Sequence, residues 1–568
     1  MTARRPELQW PGKGSGPAPA EVSLTVDQRI SPHGPSGLIG EGANLLVCAD
    51  NLLALDALLA THAGQVDLVY LDPPFATGHD FVRTSFVGPD GEDRGELRAH
   101  AYADRWPGGF SEYLTMLEPR LQRIHRLLAP RGSFYLHVDP TVGHYLKVVL
   151  DEIFGPDCFQ REIVWRIGWL SGYKTRANNW IRNHDLIFFY TKDPAQFTFN
   201  KQYVAYPEGY VRRDGKPPRG RGVALEDVWN ANTAEFALTG RDSLDSIQIK
   251  SFSREKTGWA TQKNESLLRR IISASSNPGD VVADFFCGSG TTLVAAAELG
   301  RRFIGCDCAG AAVDLAHARL TDRGAAFDRC SLGASERRRF RPGEVVHKII
   351  KDWGGEATSG AVHGERGTVG MFVGPHDAPL TRDAVRVAVA EAALRGLQGL
   401  DVVGFDWAFA ADEDLADGTG VAVTQVQARR EALDERARAS GLAERPAIAI
   451  EWCDVPEGVR MKIHHAALRR PERLDPAMQA ALRDWTELLE SWSVEFAAGS
   501  GPMRPDERHH RTRTQRTLVV ESGPHAYPER GVYTARVVVC DRFGAEHRQR
   551  FTLDCSGGLR ATRSWDPW

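Results

Sequence analysis

The sequence predicts an α/β protein whose central element is a doubly wound, Rossmann-like sheet. Short apolar runs alternate with helical patterns over residues 41–154 and again over residues 259–330, as parallel strands and their connecting helices do. Two of these runs end in distinctive segments, Asp72–Phe75 (DPPF) and Phe286–Gly290 (FCGSG). Because reaction sites of doubly wound folds lie at the carboxyl ends of strands, we expect both segments to contribute to one site.

Length and composition favour a multidomain globular chain. Its 568 residues exceed what a single compact core usually contains, and its 42% hydrophobic and 25% charged residues argue against a fibrous or disordered protein. No stretch approaches the roughly 20 apolar residues of a membrane span, and the N-terminus lacks the layout of a signal peptide. We therefore expect a cytoplasmic protein with no membrane partner.

Charge and cysteine content limit the partners and cofactors. The formal net charge of -4 does not exclude a nucleic-acid partner, because local basic clusters decide the field at a binding groove. The nine cysteines are scattered, and none forms a CxxC pair. Neither a disulfide framework nor a zinc site is indicated, so we expect free thiols and no bound metal.

The first part of the chain follows an α/β order after a leader. Residues 1–40 are rich in Pro and Gly and predict a flexible leader. Residues 41–154 then predict strand, helix, strand, a polar loop, a helix that Ser111 can cap and a further strand, which together make one half of a sheet domain. The predicted elements are Leu45–Cys48, Asn51–Leu59, Val66–Leu71, Ser111–Leu128 and Ser133–Val138.

Residues 155–258 interrupt this order with interleaved aromatic and basic residues, and they predict an insertion between two halves of one domain. The α/β order returns over residues 259–330, the second half. Its predicted elements are a helix over 265–275, the strand Val281–Phe285, the helix Thr291–Leu299, the strand Phe303–Cys306 and the helix Ala311–Leu320.

An arginine-rich run, Arg337–Pro342, marks a boundary with the rest of the chain. Residues 345–500 mix a helix with strand-like runs and predict an α/β accessory region. Residues 501–568 alternate apolar and polar residues around turns and predict a small β-sandwich. The sequence assigns no function to either part.

The DPPF segment offers the groups that an exocyclic amino nitrogen needs in order to act as a nucleophile. The lone pair of such an amine is delocalised into its ring, so acceptors for both amino hydrogens would stabilise the transition state. Asp72 can supply a carboxylate and Pro73 a backbone carbonyl, while Pro73 and Pro74 stiffen the turn. Phe75 can stack on a base taken out of a duplex. The alternative is a rigid turn that only ends a strand.

The glycine-rich segment has the features of a ligand-binding turn. Gly288 and Gly290 allow close approach of the backbone and direct a helix N-terminus at a ligand, which suits a carboxylate. Asp307 closes the next strand, where an acidic side chain commonly binds ribose hydroxyls. Asp284 precedes the turn and can orient the loop or an amino group of the ligand. The alternative is a glycine turn that only packs a strand against a helix.

These segments resemble the β class of DNA amino-methyltransferases, especially the modification subunits of type III restriction systems. Asp67–Phe75 is similar to the family's catalytic motif, and Val281–Cys308 is similar to its cofactor segment. Thr261–Lys263 resembles a TQK-containing cofactor motif, and Cys48–Asn51 resembles the segment near the cofactor adenine. The catalytic part, the insertion and the cofactor part also follow in the family's order.

The resemblance implies an S-adenosylmethionine-dependent methyltransferase with a Rossmann-like fold that acts on adenine N6 at a specific site in duplex DNA, in a restriction-modification or phage-defence system. Asp72 indicates adenine, because serine is commoner there in cytosine-N4 enzymes. Phe285 and Asn264 depart from the family, which usually has proline at both positions. The alternatives are cytosine-N4 methylation and a DNA-specificity subunit with weak or no methylation.

The resemblance also implies the residues of the site. The expected catalytic residues are Asp72, Pro73, Pro74 and Phe75. The expected residues for S-adenosylmethionine are Asp50, Thr261, Gln262, Lys263, Asp284, Phe286, Gly288, Gly290 and Asp307.

Residues 155–258 have the composition of a region that reads a DNA groove. Arginine and lysine suit phosphates and guanine edges, and aromatic residues such as Trp180 suit stacking or wedging. The expected DNA-binding residues are Arg166, Lys174, Arg176, Arg182, Arg212 and Arg213. The alternative for the basic segment Arg212–Arg221 is a solvated loop. Beyond duplex DNA, we expect a restriction or helicase subunit and a second copy of the chain as partners.

Overall fold

The computed structural model of the chain describes residues 6–31, 44–86, 96–167, 178–206, 208–229, 255–332, 342–376, 378–405, 407–409, 415, 416, 418–428, 442–468, 471, 474, 479, 482, 484–511, 516–543 and 545–564. The strands of the N-terminal α/β region (residues 6–332) are β1 Leu24–Ile30, β2 Leu45–Cys48, β3 Val66–Leu71, β4 Asp80–Phe86, β5 Glu96–Ala103, β6 Leu128–Val138, β7 Phe159–Arg166, β8 His184–Thr191, β9 Tyr203–Val204, β10 Val223–Ala224, β11 Val228–Trp229, β12 Val281–Asp284, β13 Arg302–Asp307 and β14 Phe327–Leu332. Its helices are α1 Asn51–His62, α2 Gly109–Leu127, α3 Pro140–Phe154, α4 Glu265–Ser275, α5 Thr291–Glu298 and α6 Gly310–Asp322.

Ten of these described strands form one sheet, in the order β1-β14-β2-β13-β12-β3-β6-β8-β7-β11. The strands from β14 to β6 are parallel to one another, as their buried apolar sequences predict. Helices α1, α2 and α3 pack on one face of the sheet, and helices α4, α5 and α6 pack on the other. This arrangement confirms the doubly wound, Rossmann-like fold that the sequence predicts.

The two distinctive segments lie at the same edge of the sheet. Strand β12 pairs in parallel with β3 on one side and with β13 on the other. Because neighbouring parallel strands end at one edge, Asp72–Phe75 after β3 lies beside Phe285–Gly290 after β12. Strand β13 brings Asp307 to the same edge, and β2 pairs with β13 and leads to Asp50. The fold therefore assembles residues from distant parts of the chain.

The leader expected over residues 1–40 is part of the fold where the structure describes it. Strand β1 pairs antiparallel with β14 at an edge of the main sheet. Trp10 is buried in the core, and its Nε1 donates a hydrogen bond to Thr115 Oγ1 over 3.1 Å. The Pro/Gly-rich composition does not indicate these contacts, because one short strand and single side chains make them.

Part of the insertion expected over residues 155–258 extends the main sheet. Strand β8 pairs antiparallel with β6, β7 pairs antiparallel with β8, and β11 pairs in parallel with β7. Strands β9 and β10 form a separate ribbon. Among the described residues of the insertion, β7, β8 and β11 are thus joined to the main sheet by backbone hydrogen bonds.

The accessory α/β region follows. Its elements are α7 Pro342–Trp353, β15 Glu356–Ala357, β16 Gly364–Arg366, β17 Val369–Val373, α8 Arg382–Leu394, β18 Gly399–Gly404, β19 Ala422–Ala428 and β20 Leu442–Glu444. They form a sheet in the order β15-β16-β17-β18-β19-β20, in which β17, β18 and β19 are parallel. Helix α8 packs on one face and α7 on the other.

The last strands are β21 Ala447–Val455, β22 Gly458–Ala467, β23 Leu489–Glu495, β24 Glu507–His510, β25 Val532–Asp541, β26 Glu546–Asp554 and β27 Arg560–Ser564. The hairpin β21-β22 and the sheet β24-β23-β25-β26-β27 share one core. This C-terminal β unit begins near residue 447, whereas the sequence placed a sandwich at 501–568. The expected boundary is wrong because it separates β23 from its neighbour β25.

The C-terminal β unit contacts the N-terminal α/β region through a buried ion cluster of Asp314, Arg329, Arg508 and Glu546. Arg329 Nη2 lies 2.9 Å from Asp314 Oδ1 and 2.7 Å from Glu546 Oε1. Burial raises the pKa of Asp314 above its usual range. At Glu546 burial acts in the same direction, but the nearby guanidinium groups outweigh it and lower the pKa.

Further contacts join the same two parts of the chain. Arg508 pairs with the buried imidazole of His317 on α6, and the backbone N–H of Arg29 on β1 donates to the Met503 carbonyl over 2.7 Å. Ligand atoms of Asp314, Cys540 and Glu546 lie within 4.8 Å of one another, but Arg329 already supplies positive charge between the two carboxylates. Within the described residues, no helix combines the length and apolar character needed to cross a bilayer.

Candidate active site

The loop after β3 has a conformation that Asp104 fixes. The carboxylate of Asp104 accepts hydrogen bonds from the backbone N–H groups of Ala76 and Thr77, from the Thr77 hydroxyl and from the Trp106 indole. Ala76 has a φ of 56°, and among the described residues it is the one non-glycine with a positive φ. Such backbone strain persists only where the surroundings impose it. The segment Asp72–Phe75 is therefore followed by a loop of defined shape.

Asp72 lies at the end of β3 with its two oxygens in different environments. Its Oδ2 pairs with Lys263 Nζ. Its Oδ1 is buried and has no hydrogen-bond partner among the residues that the structure describes. Lys263 Nζ also lies 5.3 Å from the centre of the Phe75 ring. An acceptor, an ammonium group and an aromatic ring thus meet at this strand end.

A buried polar chain supports this strand end from the neighbouring strands. His137 on β6 bonds the Tyr70 hydroxyl through Nδ1 (2.7 Å) and Asp185 Oδ2 through Nε2 (3.3 Å). Its ring centre lies 6.1 Å from that of Phe75. Burial raises the pKa of Asp185, but the His137 hydrogen bond and the charges of Lys263 and other cations outweigh it and lower the pKa.

The glycine turn after β12 is shaped by close backbone approach. Gly290 has a φ of 77°, and a Cβ there would lie 2.7 Å from the Cβ of Ala316. Gly288 has a φ of 48° and lies against the indole of Trp259. The backbone N–H of Gly288 donates to Asp307 Oδ2 over 2.9 Å. Both glycines are therefore required by the turn, and Asp307 holds it.

Arg319 on α6 holds the other side of the glycine turn. Its Nη1 donates to the Ser289 carbonyl over 2.7 Å and to Thr291 Oγ1 over 3.0 Å. Its Nη2 donates to Glu265 Oε1 on α4 over 2.9 Å. The turn is thus tied to the two helices that flank α5.

Asp284 orients the start of the same turn. Its Oδ1 accepts from the Phe286 N–H over 3.0 Å, and its Oδ2 accepts from Thr292 Oγ1 over 2.5 Å. Burial raises the pKa of Asp284 to about 7, against the hydrogen bonds, which lower it. Of the two roles that the sequence offers for Asp284, the one visible in the described contacts is to hold the loop.

Asp50 caps helix α1 and is held by α2. Its Oδ1 accepts from the Leu52 N–H over 2.8 Å, and its Oδ2 pairs with Arg120 Nη2 at 2.9 Å. Arg120 Nε also donates to Asn51 Oδ1, and Asn51 Nδ2 donates to the Phe285 carbonyl over 2.6 Å. Arg120 therefore links the Asp50 segment to the end of β12.

The segment Thr261–Lys263 divides between local structure and the site. Gln262 accepts from the Thr257 N–H and hydroxyl and donates to the Glu255 carbonyl, so its side chain stabilises its own loop. Thr261 is half-buried beside it. Lys263 contacts Asp72. Among the described contacts of these three residues, that of Lys263 reaches the end of β3.

The residues expected to bind DNA lie in several environments. Arg166 ends β7 with an exposed side chain, and Arg212 and Arg213 lie on an exposed turn. Arg182 has a side chain that is 45% exposed, and it pairs with Asp139 at 3.1 Å and with Asp185, which is part of the buried polar chain near the site. Lys174 and Arg176 lie outside the described residues. Trp180, two positions before Arg182, is 98% exposed.

The structure thus gathers most predicted site residues at one edge of the sheet, together with four residues that the sequence did not indicate. Asp104, Arg120, His137 and Arg319 each make buried or partly buried hydrogen bonds to residues in or next to the predicted site segments. Chemically, the site combines a carboxylate oxygen that has no hydrogen-bond partner among the described residues, an aromatic face and a glycine turn at a helix N-terminus. These are the requirements for holding an amine beside a second ligand that carries a carboxylate.

Comparison with known proteins agrees with this chemistry. Residues 66–318 match the N6/N4 methyltransferase family, which is described as DNA methylase. The type II methyltransferase M1.MboII of Moraxella bovis is 30% identical over 210 residues, which cover 35% of this chain and 75% of that protein. The DNA adenine methyltransferase YhdJ of Escherichia coli is 26% identical over 274 residues, which cover 47% of this chain and 79% of that protein. The probable type III restriction-modification enzyme HindVI Mod subunit of Haemophilus influenzae is 24% identical over 379 residues, which cover 46% of this chain and 48% of that protein.

Proposed function

The chain belongs to the DNA methylase family, and on that premise we propose that it transfers a methyl group from S-adenosylmethionine to adenine N6 at a specific site in duplex DNA. The single observation that carries the proposal is the meeting of the β3 and β12 ends, where Asp72 Oδ1 is a buried acceptor with no hydrogen-bond partner among the described residues. At this place the two reactants of methyl transfer, an amino group and a methyl donor, can lie side by side.

Asp72–Phe75 would hold the target base. Asp72 and the Pro73 carbonyl accept the two amino hydrogens, which localises the nitrogen lone pair and stabilises the positive charge that develops on nitrogen. Phe75 stacks on the base, which must leave the duplex to reach this depth. The transfer is direct, without a covalent enzyme intermediate, and the proton of the amine leaves after the new N–C bond forms.

The β12 side fits S-adenosylmethionine. The turn at Gly288 and Gly290 has no room for side chains and precedes helix α5, whose N-terminus favours the donor's carboxylate. Asp307 and Asp50 lie at the ends of the adjacent strands, where acidic side chains bind ribose and adenine groups. When bound, S-adenosylmethionine supplies an electrophilic methyl on a sulfonium. Phe286 completes this side of the proposed site.

Adenine is proposed over cytosine for two reasons. Asp72 occupies a position where cytosine-N4 enzymes commonly carry serine, and the relative YhdJ is named as an adenine methyltransferase. Cytosine-N4 methylation is the second candidate, because the matched family includes both activities. A specificity subunit with weak or no methylation is the third.

Residues 155–258 are proposed to read the DNA. Arg166 and Arg213 are exposed and basic, Arg212 is partly exposed, and Trp180 presents a nearly fully accessible indole close to Arg182 in the chain. An exposed indole gains no burial free energy on folding but can stack on a base, a contact worth about 1–3 kcal/mol. Lys174 and Arg176 are proposed for the same role from the sequence.

The proposed protein partner rests on the similarity to a type III relative. The chain spans about half of the HindVI Mod subunit, which is named as part of a type III restriction-modification enzyme. We extend this to the present chain as a proposed association with a restriction or helicase subunit, and a homodimer is a further proposed state.

Purified protein, S-adenosylmethionine and unmethylated genomic DNA test the proposal. Nucleoside analysis of the product is expected to show N6-methyladenine. Asp72→Ala is expected to lower methyl incorporation at least about 100-fold, while binding of S-adenosylhomocysteine is kept. Asp383→Ala, at an exposed position in the first turn of α8, is the matched control and should retain full activity.

The outcomes separate the three candidates. N4-methylcytosine as the product supports the second candidate. Cofactor binding with no incorporation on any DNA supports the third. An Asp72→Ala variant that turns over at the wild-type rate overturns the assignment of the site.

A further inference from the structure

Lys263 lies on the base side of the site, although the TQK resemblance assigned it to the cofactor. Its Nζ pairs with Asp72 Oδ2 and lies 5.3 Å from the centre of the Phe75 ring. The two side chains are 14% and 15% exposed, so solvent screens this pair far less than a surface pair. The contacts of Lys263 are thus with two residues proposed to hold the base.

The pairing leaves one oxygen of Asp72 for a ligand. A carboxylate bound through Oδ2 has a restricted side-chain orientation, and its Oδ1 then points in a fixed direction. Oδ1 is buried without a hydrogen-bond partner among the described residues. A buried unpaired acceptor costs about 1–3 kcal/mol, and an entering N–H donor recovers that free energy. Lys263 therefore occupies one acceptor and leaves the other open.

The same pairing balances charge. The other titratable groups that face Asp72 are Asp284 after β12, Tyr70 on β3 and Tyr113 on α2, and Asp185 on β8 faces Lys263. Within this described group Lys263 is the cation, so its ammonium offsets carboxylate charge at the end of β3.

We propose that Lys263 is a positioning residue for the reaction, one that keeps Asp72 oriented so that Oδ1 receives the amino group of the target base. This inference rests on the proposed function. Lys263 acts through Asp72, and no contact with the methyl donor is assigned to it.

The variants Lys263→Met and Lys263→Arg, made in the full chain, test the proposal. The measurements are kcat and the KM for DNA in methyl transfer to unmethylated DNA. For Lys263→Met we expect kcat to fall about 100-fold with a nearly unchanged KM, because Asp72 loses the ion pair that orients its Oδ1 and a small misplacement of a catalytic group costs about that factor. Lys263→Arg keeps a cation that can pair with Asp72 and is expected to retain most of the rate.

Two controls accompany the variants. Lys348→Met removes a lysine whose Nζ lies 2.7 Å from Asp352, with side chains 19% and 21% exposed, in the accessory α/β region. It should leave kcat and the KM for DNA unchanged. Calorimetric binding of S-adenosylhomocysteine reports on the cofactor half, and its Kd for Lys263→Met should stay within about twofold of wild type.

Each other outcome overturns a defined statement. A Kd raised about tenfold with kcat unchanged places Lys263 in the cofactor half. A lowered melting temperature with kcat unchanged, or a loss of rate that Lys263→Arg does not restore, marks a purely structural role. Either result refutes the proposal for Lys263 in an active enzyme. A wild-type chain that transfers no methyl group to DNA refutes the proposed function itself.

Discussion

Asp104 Oδ1 accepts a hydrogen bond from the backbone N–H of Ala76 over 2.9 Å, and Ala76 has a φ of 56°. A non-glycine residue in this region costs roughly 1–2 kcal/mol, and the fully buried Asp104 carboxylate offsets that cost with several hydrogen bonds at once. The pair explains how a strained loop can follow the two prolines without relaxing. The shape of the loop is therefore set by Asp104, whereas the proposed chemistry belongs to Asp72.

We expect Asp104→Asn to lower kcat about 10- to 100-fold. The amide keeps the size of the side chain but replaces one acceptor with a donor, which faces backbone N–H groups and loosens the loop. Steady-state methyl transfer measures kcat, and S-adenosylhomocysteine binding should be unchanged because the cofactor half is not touched. Normal kcat in Asp104→Asn would show that the Ala76 conformation is irrelevant to the reaction.

Arg120→Met is expected to weaken S-adenosylhomocysteine binding about tenfold, because Asp50 and Asn51 lose the guanidinium that holds them. Calorimetry on the folded variant gives the Kd. Arg123→Met is the matched control, since Arg123 pairs with Asp56 between the same two helices, one turn further along α2. The control should lose stability and keep its affinity. Equal loss of affinity in both variants would mean that helix packing, rather than Asp50, is responsible.

The buried carboxyl of Asp284 predicts a pH dependence of stability. Its pKa is raised from 3.8 to about 7 by burial, so the folded state binds the proton more tightly than the unfolded state. Its contribution is therefore most favourable at low pH and is lost as the pH rises from about 4 to about 7. Relative to Asp284→Asn, we expect the wild-type free energy of unfolding to fall by about 2–3 kcal/mol between pH 5 and pH 8.

Urea unfolding of both proteins at a series of pH values measures this difference. The comparison with Asp284→Asn removes the contributions of all other titrating groups. A difference that is constant with pH, or that grows as the pH rises, contradicts the raised pKa.

Glu546→Gln is expected to destabilise the contact between the C-terminal β unit and the N-terminal α/β region by about 3–5 kcal/mol, because it leaves buried guanidinium charge uncompensated. Thermal unfolding and limited proteolysis of the full chain report the change. Glu521→Gln is the matched control, because Glu521 pairs with Arg460 at 2.6 Å near the surface, where solvent screens the pair, and its removal should have a much smaller effect. Similar effects of the two changes would show that the cluster adds nothing through burial.

The sequence predicted the sheet and the strand ends at which the site is proposed because their signals are local. A buried strand that ends in DPPF and another that ends in FCGSG indicate both the element and the end at which site residues are expected. The neighbouring positions of β3 and β12 then follow from the rules for doubly wound sheets. Strand β1 was missed because its partner, β14, lies about 300 positions away in the chain, and nothing in Leu24–Ile30 names that partner.

The supporting residues could not be predicted for a related reason. Arginines on an amphipathic helix such as α2 usually face solvent, yet Arg120 is buried against Asp50. His137 and Asp104 lie in segments whose patterns indicate only a strand and a polar loop. Their roles depend on hydrogen bonds across the fold, and a single sequence carries no record of such pairs. Lys263 was noticed, but its motif indicated the cofactor, whereas its side chain lies on Asp72.

Strands β7 and β8 have a consequence for engineering new target sites. They are hydrogen-bonded into the same sheet that carries Asp72, so residues 155–258 are not an exchangeable cassette. A chimaera that swaps the whole stretch would also replace two strands of this sheet, including Asp185 on β8. Grafts should keep Phe159–Arg166 and His184–Thr191 from the host and replace only what lies between or beyond them, so that altered recognition and intact turnover can be selected separately.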